Sequence, residues 1–247
     1  MNVPLIETRA LTLAAAGRTL LQSLDWRANP GERWCVIGRN AAGKSTLLRA
    51  LAGIGEPALQ RGGDVRWLGR ASVEWPAADA ASVRAFLPQQ ASDRFPITVQ
   101  RLLELSIVRP RQDAGAVLAA LDAATLAGRS VLELSGGERQ RVALAQCAVQ
   151  GAPLLLLDEP VAFQDPAHQL QVAQWLTGLG AEHALVISAH DVNWIARAAT
   201  HVLALLPDGH CEQGPAREML AAERLQRVYG CAWRAIDGEA GRVWVAQ

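Results

Sequence analysis

Residues 38–46 read Gly38-Arg39-Asn40-Ala41-Ala42-Gly43-Lys44-Ser45-Thr46, after the apolar run Trp34-Cys35-Val36-Ile37 and before Leu47, Leu48, Leu51 and Ala52 at helical spacing. The order is strand, glycine-bounded loop, helix. A glycine, four free positions and Gly-Lys-Ser is the pattern of a phosphate-binding loop, in which each fixed residue has a physical task. Gly43 lets the chain turn with its N–H groups facing inward, so loop and helix start together form a cage of positive dipole ends. Lys44 places an ammonium against the outer phosphates, and the Ser45 hydroxyl suits a coordination position on Mg²⁺. The expected ligand is a magnesium nucleoside triphosphate, held by Gly38, Asn40, Ala41, Ala42, Gly43, Lys44, Ser45 and Thr46. A mere tight turn would need neither the strand before nor the helix after.

At 247 residues the chain can bury a full core, as one large domain or two small ones. The reading adopted is one domain with an inserted subdomain. Its 24 basic and 24 acidic residues balance, so no global field draws it to nucleic acid or an anionic membrane. Recognition must be local. No run of about 18 apolar residues occurs, and Met1-Asn2-Val3-Pro4 opens no basic-then-apolar leader. Cys35, Cys147, Cys211 and Cys231 are scattered without a Cys-x-x-Cys pair, which fits small thiols in a reducing compartment. Eight tryptophans against three phenylalanines and one tyrosine are expected to fill core or subunit contacts more than to stack on a base.

Between residues 5 and 37, short apolar alternations separated by turn residues predict an antiparallel edge on a parallel sheet. Gly53, Gly55 and Pro57 should stop the helix after the loop. Strands are expected at 65–68 and 84–87. From 98 to 128 the spacing turns helical, with Val99, Leu102, Leu103 and Leu105, then Val117, Leu118, Leu121 and Leu126; Arg109-Pro110-Arg111 separates two helices. A third helix should open at Ser135-Gly136-Gly137. The organisation predicted is therefore a nucleotide-binding core of 1–88 and 151–247 with a helical insertion of 89–150. Beyond it come a hairpin from 202 to 214, a helical stretch of 215–228 and a terminal hairpin around Asp237-Gly238.

Leu154 to Leu157 run without interruption into Asp158 and Glu159, as does a strand buried on both faces of a parallel sheet. The C-terminal ends of such strands are where open α/β sheets place ligands. Asp158 is the candidate Mg²⁺ ligand opposite Ser45, and Glu159 the candidate general base that polarises the attacking water. A second buried strand, Ala184 to Ser188, ends near His190. Position alone leaves that histidine more readily structural than catalytic. Leu134-Ser135-Gly136-Gly137-Glu138-Arg139-Gln140 is a second anion-binding turn at a helix start.

Taken together, these stretches resemble the ATP-binding-cassette ATPases along essentially the whole chain. The resemblance identifies 38–46 as Walker A, Leu134 to Gln140 as the signature motif, Leu154 to Glu159 as Walker B and His190 as the switch histidine. Gln89, in Phe86-Leu87-Pro88-Gln89, matches the Q-loop glutamine, implying a place among the catalytic residues and at the metal. Asp165, in Ala162-Phe163-Gln164-Asp165, matches the D-loop aspartate. The implied fold is a P-loop NTPase of RecA-like α/β type. It implies ATP and Mg²⁺ as cofactors, with Glu159, His190 and Gln89 catalytic and Ser45, Gln89 and Asp158 around the metal. It also implies a head-to-tail homodimer in which Ser135, Gly136, Gly137 and Asp165 meet the nucleotide held by the other copy, beside transmembrane permease subunits on the cytoplasmic face of the inner membrane.

Three positions depart from the family pattern. Ala41 stands where a second glycine is usual, Gln164 where the D-loop has leucine, and Ala15 where an aromatic commonly stacks on adenine, which leaves the choice between ATP and GTP open. Phe95-Pro96-Ile97-Thr98-Val99 and the ending from Leu225 to Tyr229-Gly230 resemble the importer ATPases for vitamin B12, haem and ferric siderophores, which work with a substrate-binding protein. The alternatives are an exporter ATPase or a soluble ATPase of the same family. A metabolite kinase with a Walker loop has no use for Leu134 to Glu138.

Overall fold

The computed structural model describes residues 3–90, 95–108, 113–238 and 241–247. Strands β1 (Ile6–Ala15) and β2 (Arg18–Ala28) precede β3 (Arg33–Ile37), which leads through the loop of residues 38–43 to α1 (Lys44–Leu51). β4 (Leu59–Trp67), β5 (Arg70–Ala71), α2 (Ala77–Val83) and β6 (Arg84–Leu87) follow. The helical segment contains α3 (Val99–Ser106), α4 (Ala114–Ala120) and α5 (Gly136–Val149). The chain then returns through β7 (Leu154–Asp158), α6 (Pro166–Gly178), β8 (Ala184–Ser188), α7 (Val192–Ala198), β9 (His201–Leu205) and β10 (Cys211–Pro215). It ends in α8 (Ala216–Met219), α9 (Ala222–Tyr229) and the hairpin β11 (Trp233–Gly238) and β12 (Gly241–Ala246).

Among the described residues, the main sheet runs β10-β9-β3-β8-β7-β6, parallel except for β10. Side chains alternate across it with period two. Leu154, Leu156, Val186, Val36 and Leu203 face α1 and the N-terminal strands, whereas Leu155, Leu157, Ile187, Cys35 and Val202 face the helices α3 to α7. Both faces are covered, which is why β7 is an unbroken leucine run.

The expected antiparallel edge exists, but β10 supplies it. Residues 5–28 join β4 and β5 in a separate sheet of order β2-β1-β4-β5, with Ile6 opposite both Ala28 and Trp67. Leu11, Leu13, Leu21, Leu24 and Trp26 bury one face of that sheet against α1. Three further differences have local causes. Leu126 falls in a short 3₁₀ turn rather than in α4, because Asp122 takes a left-handed φ of 50° after the helix ends. The stretch 215–228 divides at Leu220 and Ala221. Leu105 shares the apolar periodicity of α3 yet stays 63% exposed. The break at Arg109-Pro110-Arg111 lies outside the described residues. Cys35 and Cys147 are buried and all four cysteines are free; burial pushes the Cys35 and Cys147 thiols up to about 12. Trp26, Trp34, Trp67 and Trp194 are core residues, as expected for most of the eight.

The geometry that matters for the site follows from the strand order. Parallel strands place their C-terminal ends on one edge, so β6, β7, β8 and β3 deliver the segments after residues 87, 158, 188 and 37 side by side. Helix α1 is wedged between the two sheets by Leu47, Leu48 and Leu51, each fully buried. Removing one of these side chains leaves a cavity where neither sheet can collapse. Leu48→Ala is therefore expected to cost about 2–5 kcal/mol, read as a lowered urea midpoint at unchanged slope.

Candidate functional site

Asn40, Ala41, Ala42, Gly43, Lys44, Ser45 and Thr46 line one open cleft of about 550 Å³ together with Gln89, Glu159, His190 and Leu20. The loop's shape depends on left-handed backbone at Gly43, φ 97°, and at Ala41, φ 60°. A methyl at Gly43 would lie 3.2 Å from Leu20 Cβ, a tight contact beside a backbone conformation that already favours glycine. Gly38 sits behind the cleft, and its carbonyl accepts a 2.9 Å hydrogen bond from Lys44 Nζ; the Arg39 carbonyl accepts another at 3.1 Å. Burial holds the Lys44 ammonium below its ordinary pKa, against the opposing pull of the Glu159 and Asp158 carboxylates.

Asp158 and Glu159 diverge, as consecutive residues at a strand end should. Asp158 is 1% exposed, and its Oδ1 accepts a 2.5 Å hydrogen bond from Ser188 Oγ. Its Oδ2 is buried without a hydrogen-bond partner. Glu159 takes a left-handed φ of 50°, which turns its side chain out of the strand direction and into the cleft. Its backbone N–H donates to Ser188 Oγ at 2.9 Å, its carbonyl accepts from Gln140 Nε2 at 3.0 Å, and its Oε1 lies 2.5 Å from His190 Nε2. One serine thus fixes both acidic residues.

A divalent cation suits this donor set. The unpartnered buried oxygen of Asp158 is a hard ligand, and Ser45 lines the adjoining cleft. Mg²⁺ prefers one or two protein oxygens together with phosphate oxygens and water. Among the described residues there is no cluster of three or more His, Cys, Asp or Glu that could hold a metal ion.

Ser135, Gly136, Gly137 and Asp165 are not in this cleft. They line a second hollow of about 680 Å³ with Glu138, Arg141, Phe163, Gln164 and His168. Ser135 caps α5 in a reciprocal box, its N–H donating to Glu138 Oε2 at 2.8 Å while its Oγ accepts from Glu138 N–H at 3.4 Å. The N–H and hydroxyl of Ser135 hold the Glu138 carboxyl below the usual range, and Arg129 adds to the effect. A methyl on Gly137 would stand 2.9 Å from the Phe163 carbonyl oxygen, which explains the second glycine. Gln164 is 9% exposed and donates to the Pro160 carbonyl at 3.3 Å, so glutamine fills the loop interior at this position.

A model of the ABC transporter family matches residues 21–162. The chain belongs to that family. It is an ATPase subunit. The cassette is 39% identical over 242 residues to the hemin import ATP-binding protein HmuV of Pseudomonas aeruginosa, covering 92% of each chain. The HmuV protein of Streptomyces coelicolor is also 39% identical, over 229 residues, covering 89% of this cassette and 81% of that protein. A metal-chelate type ABC transporter solved in an inward-facing conformation shares the fold at a TM-score of 0.80 and 24% identity, over 99% of this cassette and 98% of that chain.

Sequence reasoning missed three residues of the cassette's site. Ser188 and Gln140 lay inside stretches already singled out, but hydrogen bonds joining residues 158, 159 and 188 depend on strand pairing that no local pattern encodes. Leu20 had no signal. Ala15 does not line the cleft; Leu20 supplies the apolar wall there.

Ala41 now has a physical account. Left-handed backbone costs a non-glycine residue about 1–2 kcal/mol, while alanine restricts the unfolded chain by about 0.4–1 kcal/mol relative to glycine. The first effect is the larger, so Ala41→Gly is expected to raise the melting temperature slightly, by the equivalent of no more than about 1.5 kcal/mol. Calorimetry without nucleotide measures it.

Proposed function

We propose that this protein binds and hydrolyses ATP as a head-to-tail homodimer, powering the import of haem or a similar metal chelate through transmembrane permease subunits. The observation that carries the reading is the division of the motifs: the phosphate loop, Gln89, Glu159 and His190 line one cleft, while Ser135, Gly137 and Asp165 line another. Each half is an incomplete site for a triphosphate. The haem assignment rests on relatives named for hemin import whose lengths match this chain almost throughout. Those relatives favour import over export.

In this reading the loop N–H groups and the N-terminus of α1 bind the phosphates, and Lys44 neutralises charge that develops on the outer one. Its two carbonyl contacts hold the ammonium in place beforehand. Ser45, Gln89 and the free oxygen of Asp158 would hold Mg²⁺, which supplies charge neutralisation between the phosphate oxygens. Glu159 takes the proton from the attacking water as general base, and His190, at 2.5 Å, fixes the orientation of that carboxylate. The turn at 135–137 of a second copy closes over the γ-phosphate and excludes bulk solvent, leaving the attacking water beside Glu159.

The permease has a place to dock. Leu105, Val108, Phe86, Pro88 and Gln90 line a groove of about 490 Å³ between the end of β6 and helices α3 and α5, directly beside Gln89. Seating there puts the protein on the cytoplasmic face of the inner membrane, with a substrate-binding protein acting from the other side. No described helix is long and apolar enough to cross a membrane itself.

Glu159→Gln is expected to lower steady hydrolysis by about 10²–10⁴-fold while ATP still binds, so the variant elutes as a dimer with ATP and as a monomer without it. Lys44→Ala should instead lose nucleotide affinity, seen by equilibrium binding. Full turnover by Glu159→Gln would remove the general-base role.

A further inference from the structure

His168 stands on the first turn of α6 and reaches in two directions. Its Nδ1 lies 2.9 Å from Asp165 Oδ2, and its Nε2 lies 3.2 Å from Asp122 Oδ2, just past the end of α4. Its backbone N–H also donates to Asp165 Oδ1 at 3.0 Å. Close by, Gln171 Nε2 donates to the Ala120 carbonyl at 3.1 Å, so α6 holds the end of α4 at two points.

A neutral imidazole has one N–H. Facing two carboxylates, it could donate to one only and would turn a lone pair toward the other; the imidazolium donates to both. The remaining charged groups on this hollow are Glu138 and Arg141 of α5. Glu138 is already taken up by Ser135 and by Arg129 at 2.8 Å, so its charge is partly neutralised. The backbone and ring contacts of His168 hold Asp165 below the usual carboxylate range.

We propose that His168 is a positioning residue for hydrolysis: its two ring nitrogens tie Asp165, on the face presented to the second cassette, to Asp122 in the helical segment. The bridge makes the loop before α6 move with the helices that carry the signature turn. This rests on the head-to-tail ATPase reading given above.

Two measurements on the full chain test it. Nitrogen-15 NMR of the five histidines, with His168→Gln to assign the signal, should find both ring nitrogens of His168 in hydrogen bonds, with Asp122→Asn shifting the Nε2 signal. Steady-state ATPase measurements of wild type, His168→Gln and Asp122→Asn should show kcat lowered about fivefold in both variants, the size set by one ordinary hydrogen bond. KM for ATP should not change. A deficit absent from Asp122→Asn, a raised KM at unchanged kcat, or an Nε2 signal that Asp122→Asn leaves in place would overturn the proposal. Absence of turnover in wild type would instead count against the ATPase reading, and the ring-nitrogen signals would still decide whether the bridge exists.

Discussion

Lys44 is a buried residue, 5% exposed, and a cation so placed is tolerable only where fixed partners surround it. Its partners come from separate parts of the chain. The Gly38 and Arg39 carbonyls arrive at the end of β3, and the carboxylates whose field opposes its loss of charge arrive at the end of β7. These requirements are met together only if β3 and β7 run parallel in one sheet, close enough to share an edge, with α1 starting at that edge. The phosphate cage, the acidic pair and the strand order are thus one constraint seen from three sides. A nucleotide adds charge of the opposite sign to a site already organised to hold Lys44 still, which is the preorganisation that electrostatic catalysis needs.

How much of this was legible in the chain depended on whether a feature is local. Backbone-built devices announce themselves, because glycine is needed at fixed offsets and nothing else serves. Hence residues 38–46 and 134–140 could be read directly, and so could the doubly buried strands at 154 and 184. Sheet membership of the N-terminal strands was not legible, since Ile6 pairs with Trp67 across sixty residues and alternation looks the same in either sheet. Leu105 misled for a related reason: helical periodicity marks an apolar face without saying whether the protein itself covers it. Ala41 shows the opposite limit. Its identity was plain, but its left-handed φ exists only in the folded loop.

The second hollow is anchored to the first within a single chain. Gln140, one turn into the signature helix and 3% exposed, donates to the Glu159 carbonyl, and Gly137 admits the Phe163 carbonyl where a side chain could not fit. Both contacts reach the segment between β7 and α6. That segment begins at Glu159, in left-handed backbone, and passes Phe163, which is left-handed as well at φ 62°. Such backbone persists only where its surroundings over-determine it. Here the surroundings are the serine of β8 on one side and the signature helix on the other.

Rigid contact of this kind has a consequence for how the halves communicate. If the turn at 135–137 shifts when it meets a nucleotide on another copy, the shift cannot stay in α5, because Gln140 and Gly137 bear directly on residues 159–163. The displacement reaches the backbone that carries the Glu159 carboxylate, and that carboxylate is already in contact with His190. In the head-to-tail dimer proposed above, closure over one nucleotide would therefore be felt at the acidic pair beside the other. No long relay would be needed, since the segment of Glu159 to Phe163 touches both hollows at once.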